Sequence, residues 1–215
     1  MLKIHADPIT INSRKVLAGL QFIGAPYDLV AMNFFAGDHT SPEHLKLNPN
    51  ATVPVAVDDD LVLWESNAIL QYAADKVANA DAYPVDLKTR ADANRWLLWE
   101  ASVWFPCCYA FLVENVGKPM QGAEPDPDVL SAQTERFNAL AAVADARLAN
   151  QQWLLGDSPT IADIAVAAPI HMHKEAQVPL AAHKNLHRWM CDDVEKLPSW
   201  ENTYVGPGFT LERPG

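Results

Sequence analysis

Every strand signal in this chain of 215 residues falls before residue 86, and beyond that point only helical spacing recurs. Such a division requires a small mixed α/β domain joined to an all-helical one, because a sheet cannot extend where no strand is available to pair with it. Leu2 to Ala6 alternates in part and suits a first strand. From Ser13 onward Val16, Leu17, Leu20 and Ile23 recur at helical spacing, with Gly24 placed to end the helix. Tyr27 to Asn33 reads as a second strand, so the chain opens β-α-β with a right-handed crossover. Residues 34 to 50 are loop-like, with one short helix possible over Pro42 to Leu47. Val53 to Val57 and Leu61 to Trp64 read as a hairpin around the acidic turn Asp58 to Asp60. Glu65-Ser66 then opens a helix carrying Ile69, Leu70, Tyr72, Ala73 and Val77. These signals place a first domain over residues 1–78, a linker over 79–85 and a helical domain over 86–215. Within the last, periodic runs cover 86–116, 128–150, 159–175 and 185–196, and nothing regular is expected from Val205 to Gly215.

Charge and composition narrow the partners. Asp and Glu outnumber Lys and Arg by 27 to 16, and the basic residues are scattered, so no stripe exists to neutralise a phosphate backbone and nucleic acid is not expected. The N-terminus reaches Asp7 and Pro8 before an apolar run can form, and no stretch reads as a membrane-spanning helix; the expectation is a cytoplasmic protein without a membrane partner. Three cysteines, two of them adjacent at Cys107 and Cys108, make no disulfide framework. With Cys191 they read as buried thiols. His171 and His173 point to different sides of a helix, and no metal is expected.

Two features carry chemistry. Pro54 stands between two valines at the head of a strand, where proline is confined because it cannot donate to a ladder. With a cis bond, Val53 would turn its backbone N–H and C=O outward, free to pair with an extended peptide. Twelve residues on, Glu65-Ser66 sits at a strand end and helix start. The serine hydroxyl and the free N–H groups there suit a carboxylate, and the neighbouring glutamate suits an ammonium. Together they would grip an amino-acid zwitterion.

The β-α-β, loop, β-β-α order is that of a thioredoxin-like domain, and on it the stretch Asn48-Pro49-Asn50-Ala51-Thr52-Val53-Pro54-Val55, followed by Leu61 to Ile69, resembles the signature of the glutathione transferases. The resemblance implies a cis proline at Pro54, a cysteinyl peptide held by Val53, and the γ-glutamyl end of glutathione held by Glu65 and Ser66. It continues through Trp153 to Ile164, where Ser158, Thr160 and Asp163 are residue types that satisfy a helix start, and through Leu197-Pro198-Ser199-Trp200. Gly37-Asp38-His39-Thr40 is similar to the loop of the phi class that approaches the glycine carboxylate. His39 fits that role, or is an exposed loop histidine. Thr40 and Thr52 replace longer polar residues, which weakens the expected grip on the glycyl end.

At the reacting centre the loop Pro8 to Val16 lacks Tyr and Cys. Thr10 falls where the phi and zeta types carry serine, and Thr10-Ile11-Asn12 resembles the bacterial nu class. Thr10, Asn12 and Ser13 are therefore the candidates for the thiol, with Ser13 also read as the cap of the first helix. The electrophile is expected at the exposed part of the helix carrying Trp96 to Leu112, with Phe105 and Tyr109 as lining residues. The function implied is a glutathione transferase that adds the thiolate of glutathione, as co-substrate, to a small apolar electrophile. The alternatives are a glutathione-dependent disulfide reductase and a non-catalytic binder or carrier. Family resemblance further implies a homodimer.

Overall fold

The computed structural model describes residues 1–205, so the expectation for the tail beyond Val205 lies outside the described residues. The chain forms two compact units, one of Met1–Tyr83 together with the chain from Pro198, the other of Pro84–Leu197.

In the first unit β1 (Leu2–Ala6), α1 (Ile11–Ile23), β2 (Tyr27–Ala31), α2 (Pro42–Leu47), β3 (Val55–Asp58), β4 (Leu61–Trp64) and α3 (Ser66–Lys76) follow in order. The sheet runs β2-β1-β3-β4, with β1 parallel to β2 and antiparallel to β3, and β3 antiparallel to β4. This is the thioredoxin-like arrangement expected. Alternation puts Leu2, Ile4 and Ala6 of β1 on one buried face with Ala56 of β3, which pairs with Ile4, while Val55, paired with His5, is buried on the other, and Ile11, Val16, Leu17 and Leu20 of α1 add a buried helical layer. Gly24 ends α1 in the left-handed conformation, at φ 77°, where a side chain would be strained. Gly19 has a packing role instead: a Cβ there would lie 2.3 Å from a methyl of the fully buried Leu70, so glycine is what lets α1 approach α3 this closely. The sequence pattern places Leu197-Pro198-Ser199-Trp200 in the helical domain, whereas the short helix Pro198–Glu201 belongs to the first unit. Buried Arg14 donates to the Trp200 carbonyl at 3.2 Å and stacks on its ring, a tether between residues 186 positions apart that local pattern cannot reveal.

The second unit is helical. Its first helix runs unbroken from Leu87 to Met120, 34 residues, past the expected stop at Gly117-Lys118-Pro119. Two widened turns of π type, Glu100–Trp104 and Val113–Gly117, precede Pro106 and Pro119 closely. Widening relieves the clash and the missing N–H that a proline brings to a regular helix. By length and composition this helix could cross a membrane, which corrects the expectation that no stretch would; Glu100, Ser102 and Pro106 disguise the apolar run in the sequence. Trp96, Leu97, Trp104, Cys107, Cys108 and Phe111 are all buried, and the Trp104 indole donates to the Val166 carbonyl at 2.9 Å. Those residues pack one face of the helix into the helical unit. The helix Pro127–Leu148 follows, capped by Asp126, and then Ile161–Ala167, which tightens to a 3-10 turn at Pro169 where the expected run to residue 175 had no break. The last run opens at Lys184–Arg188 and continues as a π segment, Trp189–Asp193.

Candidate active site

Strand direction alone collects the site. In the ladders His5 pairs with Val55, and Val55 with Trp64. The end of β1, the start of β3 and the end of β4 therefore lie side by side, and β2, parallel to β1, ends beside Ala6. Four loops leave the sheet at this one end: Asp7 to Thr10, Met32 to Ser41, Thr52 to Pro54, and Glu65-Ser66. Every glutathione residue expected from sequence is on one of them or on the helix turn that follows. The N-termini of α1 and α3 also open there; neither first turn contains an acidic residue, although Glu65 is the cap of α3, so the N–H groups of α1 in particular favour an anion.

The Val53-Pro54 bond is cis, as expected. Asn48, fully buried, donates to the hydroxyl and the carbonyl of Thr52 at 2.8 and 2.9 Å, and the His44 ring lies 2.9 Å from the same carbonyl. Thr52 is thus pinned from behind while remaining exposed. Glu65 holds φ at 75°, a region that costs a non-glycine residue energy and persists only when the surroundings impose it. Ser66 is buried beneath it; its hydroxyl donates to Asn12 Oδ1 at 3.3 Å and accepts from the Lys15 ammonium at 3.1 Å. Lys15 also donates to Asn67 Oδ1 at 3.3 Å. His39 is half-buried and stacks on Phe34, ring centroids 4.1 Å apart, with Nδ1 lacking a partner among the described residues. It is a held ring, not a free loop histidine.

At the thiol loop one expectation is corrected. The cap of α1 is Thr10, not Ser13, which lies inside the first turn and is wholly buried. The helix starts two residues earlier than the apolar spacing suggested because Ile11 is itself a core residue. Thr10 Oγ1 lies 2.7 Å from Ser13 Oγ and 3.0 Å from the Asp7 carbonyl. Thr10 and Asn12 are half-buried and reachable, whereas Ser13 can act only through Thr10. Phe105 and Tyr109 stack with centroids 5.5 Å apart, and Tyr109 is 45% exposed while Cys108 beside it is buried.

Sequence reasoning missed Asp7, Lys15 and Asn67. Asp7 is buried and accepts from the N–H of Ile9 at 3.1 Å and of Phe34 at 2.8 Å, which locks the thiol loop to the loop carrying His39. Lys15 is 1% exposed, and a charge at helical spacing from Ile11 and Ala18 was the available signal. Cys107 and Cys108 are buried as expected, and burial raises both thiols. Cys191 is only half-buried, a correction.

The models of the glutathione S-transferase N-terminal and C-terminal domains match residues 5–75 and 103–195. A probable glutathione S-transferase GSTF2 of Oryza sativa subsp. japonica is 33% identical over 168 residues, 78% of each chain. Among solved structures, glutathione transferase F2 of Populus trichocarpa superposes with a TM-score of 0.87 at 22% identity, covering 94% of this chain and 97% of its own, a likeness of fold. Glutathione S-transferase I from maize, in complex with an atrazine glutathione conjugate, superposes with a TM-score of 0.83 at 28% identity, covering 94% and 95%.

Proposed function

Because this chain belongs to the glutathione S-transferase family, we propose that glutathione lies across the loop end of the sheet, where Thr10 stabilises its thiolate for attack on a small apolar electrophile. The observation that carries this reading is the convergence of the cis-Pro54 loop, the Asn12–Ser66–Lys15 network and two helix N-termini at one sheet end. Val53 offers its backbone to the cysteinyl residue. Ser66, backed by the Lys15 ammonium, takes the γ-glutamyl carboxylate, and Glu65 takes its ammonium. His39 and Thr52 face the glycyl end. Phe105, half-buried, and Tyr109, exposed, are the candidate apolar contacts of the electrophile, and the conjugate in the maize relative supports a substrate of that class.

A free thiol with pKa near ~8.5 is mostly protonated at neutral pH, and each unit of lowering takes about 1.4 kcal/mol. Thr10 can supply part of this because its two neighbours divide the work. When its hydroxyl proton turns from the Asp7 carbonyl or Ser13 to the sulfur, Ser13 can donate to Thr10 Oγ1 in turn, a chain in which each bond polarises the next. The thiol proton leaves to solvent, and the N-terminus of α1 adds positive potential.

Thr10→Val keeps the shape and loses the donor, so the apparent thiol pKa in the binary complex rises by about one unit while affinity changes little. Asn12→Ala raises it less, and Ser13→Ala gives a partial rise through Thr10. Thiolate absorbance against pH checks all three; a Thr10→Val curve matching the parent, with the rise in Asn12→Ala, transfers the role to Asn12. An aryl halide and a small disulfide, each assayed with glutathione, test the reaction itself. Turnover of the disulfide alone would overturn conjugation in favour of reduction, and retention on glutathione resin with neither turnover would favour a binder.

The same reading carries a cytoplasmic homodimer, supported by family membership and by the prevalence of two-fold assemblies. Light scattering is expected to give twice the mass of one chain, and a monomer's mass at dilute concentration would refute it.

A further inference from the structure

We propose that His173, His187, Cys191 and Glu195 form a binding site for a divalent cation of the zinc type, within the helical unit and independent of the glutathione site. One ligand atom from each of His173, Cys191 and Glu195 lies within 4.8 Å of the others. His173 Nε2 stands 3.1 Å from Glu195 Oε1 and 3.8 Å from Cys191 Sγ, and His187 Nε2 stands 3.8 Å from the same sulfur. A tetrahedral ion with bonds of about 2.3 Å to sulfur and about 2.0 Å to nitrogen or oxygen needs S···N separations near ~3.6 Å and N···O separations near ~3.3 Å. These three separations are each within about 0.2 Å of their targets and Cys191 and Glu195 lie within 4.8 Å of each other, while His187, outside that cluster, must move closer to serve as the fourth ligand.

The local sequence explains the cluster. His187, Cys191 and Glu195 recur every four residues, which sets three donors along one face of the chain between Lys184 and Lys196. His173 arrives from the turn that follows the helix Ile161–Ala167, its backbone N–H donating to the Ile170 carbonyl at 3.0 Å. His171, its partner in the sequence pair, turns away to the Ala168 carbonyl. The donor set of two imidazoles, one thiolate and one carboxylate is one that borderline-soft cations accept and that calcium and magnesium, which demand oxygen, do not. His173 is nearly buried while Cys191, Glu195 and His187 are partly open, so an ion can enter and then be shielded on one side. On binding, a metal–sulfur bond replaces the S–H bond of Cys191, and that proton passes to the buffer.

Cobalt(II) added to the full-length protein tests the site, since its spectrum reports geometry and thiolate ligation directly. The expected result is one equivalent per chain, with visible bands of tetrahedral intensity and a near-ultraviolet thiolate charge-transfer band, all bleached by added zinc. Cys191→Ser abolishes the charge-transfer band. His173→Gln and Glu195→Gln each weaken binding more than roughly tenfold, since changes even to groups behind a ligand cost that much. Glutathione affinity stays unchanged in all three variants, which separates failure of this proposal from failure of the glutathione site. A weak octahedral spectrum, or one indifferent to Cys191→Ser, overturns the proposal.

Discussion

Asp163→Ala is expected to cost the helical unit about 4 kcal/mol or more and to lower the melting temperature by roughly 10 °C. Asp163 is completely buried, and its carboxylate accepts from the backbone N–H of Leu154 and of Thr160 at 2.9 Å each, from the Thr160 hydroxyl at 3.1 Å and from the Trp189 indole at 3.0 Å. One side chain thus completes the capping box of the helix Ile161–Ala167 and ties two other segments to it. Truncation leaves buried donors with nothing to bond, each costing about 1–3 kcal/mol, and alanine is too small to fill the space. A loss below about 1 kcal/mol in urea unfolding would mean that the carboxylate is dispensable to the core.

The pH dependence has a definite sign. Burial outweighs the hydrogen bonds and raises this carboxyl from 3.8 to about 6. Between those values the folded chain keeps a proton that the unfolded chain has lost. The contribution of Asp163 to stability is therefore largest below about pH 4, falls as pH rises to about 6 and is level above, a span of up to about 3 kcal/mol. Asp163→Asn removes that slope, and other carboxylates cancel when variant and parent are subtracted. A difference curve that is flat from pH 4 to 6 would contradict the raised value.

Ser66→Ala is expected to weaken glutathione binding by about 1–3 kcal/mol, a roughly 5- to 150-fold rise in Kd, by removing one charge-assisted hydrogen bond to the γ-glutamyl carboxylate. The effect includes more than the missing hydroxyl, because Ser66 is the joint between Asn12 and Lys15. Without it the Asn12 amide loses its donor from α3, and the thiol loop loses its link to the carboxylate pocket. Affinity and thiol pKa should therefore shift together, in contrast to Thr10→Val, where only the pKa moves. An unchanged Kd in calorimetry, with melting behaviour preserved, would remove Ser66 from the site.

Much of this was legible along the chain. Period-two and helical spacing marked the four strands and α1 and α3, Gly24 marked a helix end, and the Thr160–Asp163 pair marked a cap, because each depends on residues a few positions apart. The resemblance around Val53-Pro54 and Glu65-Ser66 pointed to the family for the same reason: its parts are contiguous in sequence. Where propensity competed with packing the reading slipped. Ser13 looks like a helix cap, but burial of Ile11 draws the helix start back to that residue with Thr10 as its cap, and Gly117-Lys118-Pro119 looks like a break that a widened turn accommodates.

Contacts between distant residues belong to the tertiary structure alone. Nothing in a charged residue at position 15 announces that its ammonium will meet Ser66 and Asn67, 51 and 52 residues away, instead of solvent. Nor does the sequence pair His171 and His173 foretell that one ring turns to a backbone carbonyl while the other meets Cys191 and Glu195. Local periodicity determines which face of each element is buried, since that depends on near neighbours and the period of the backbone. Which polar groups face one another across the fold depends on how the buried faces dock, and that is decided only when the whole core closes.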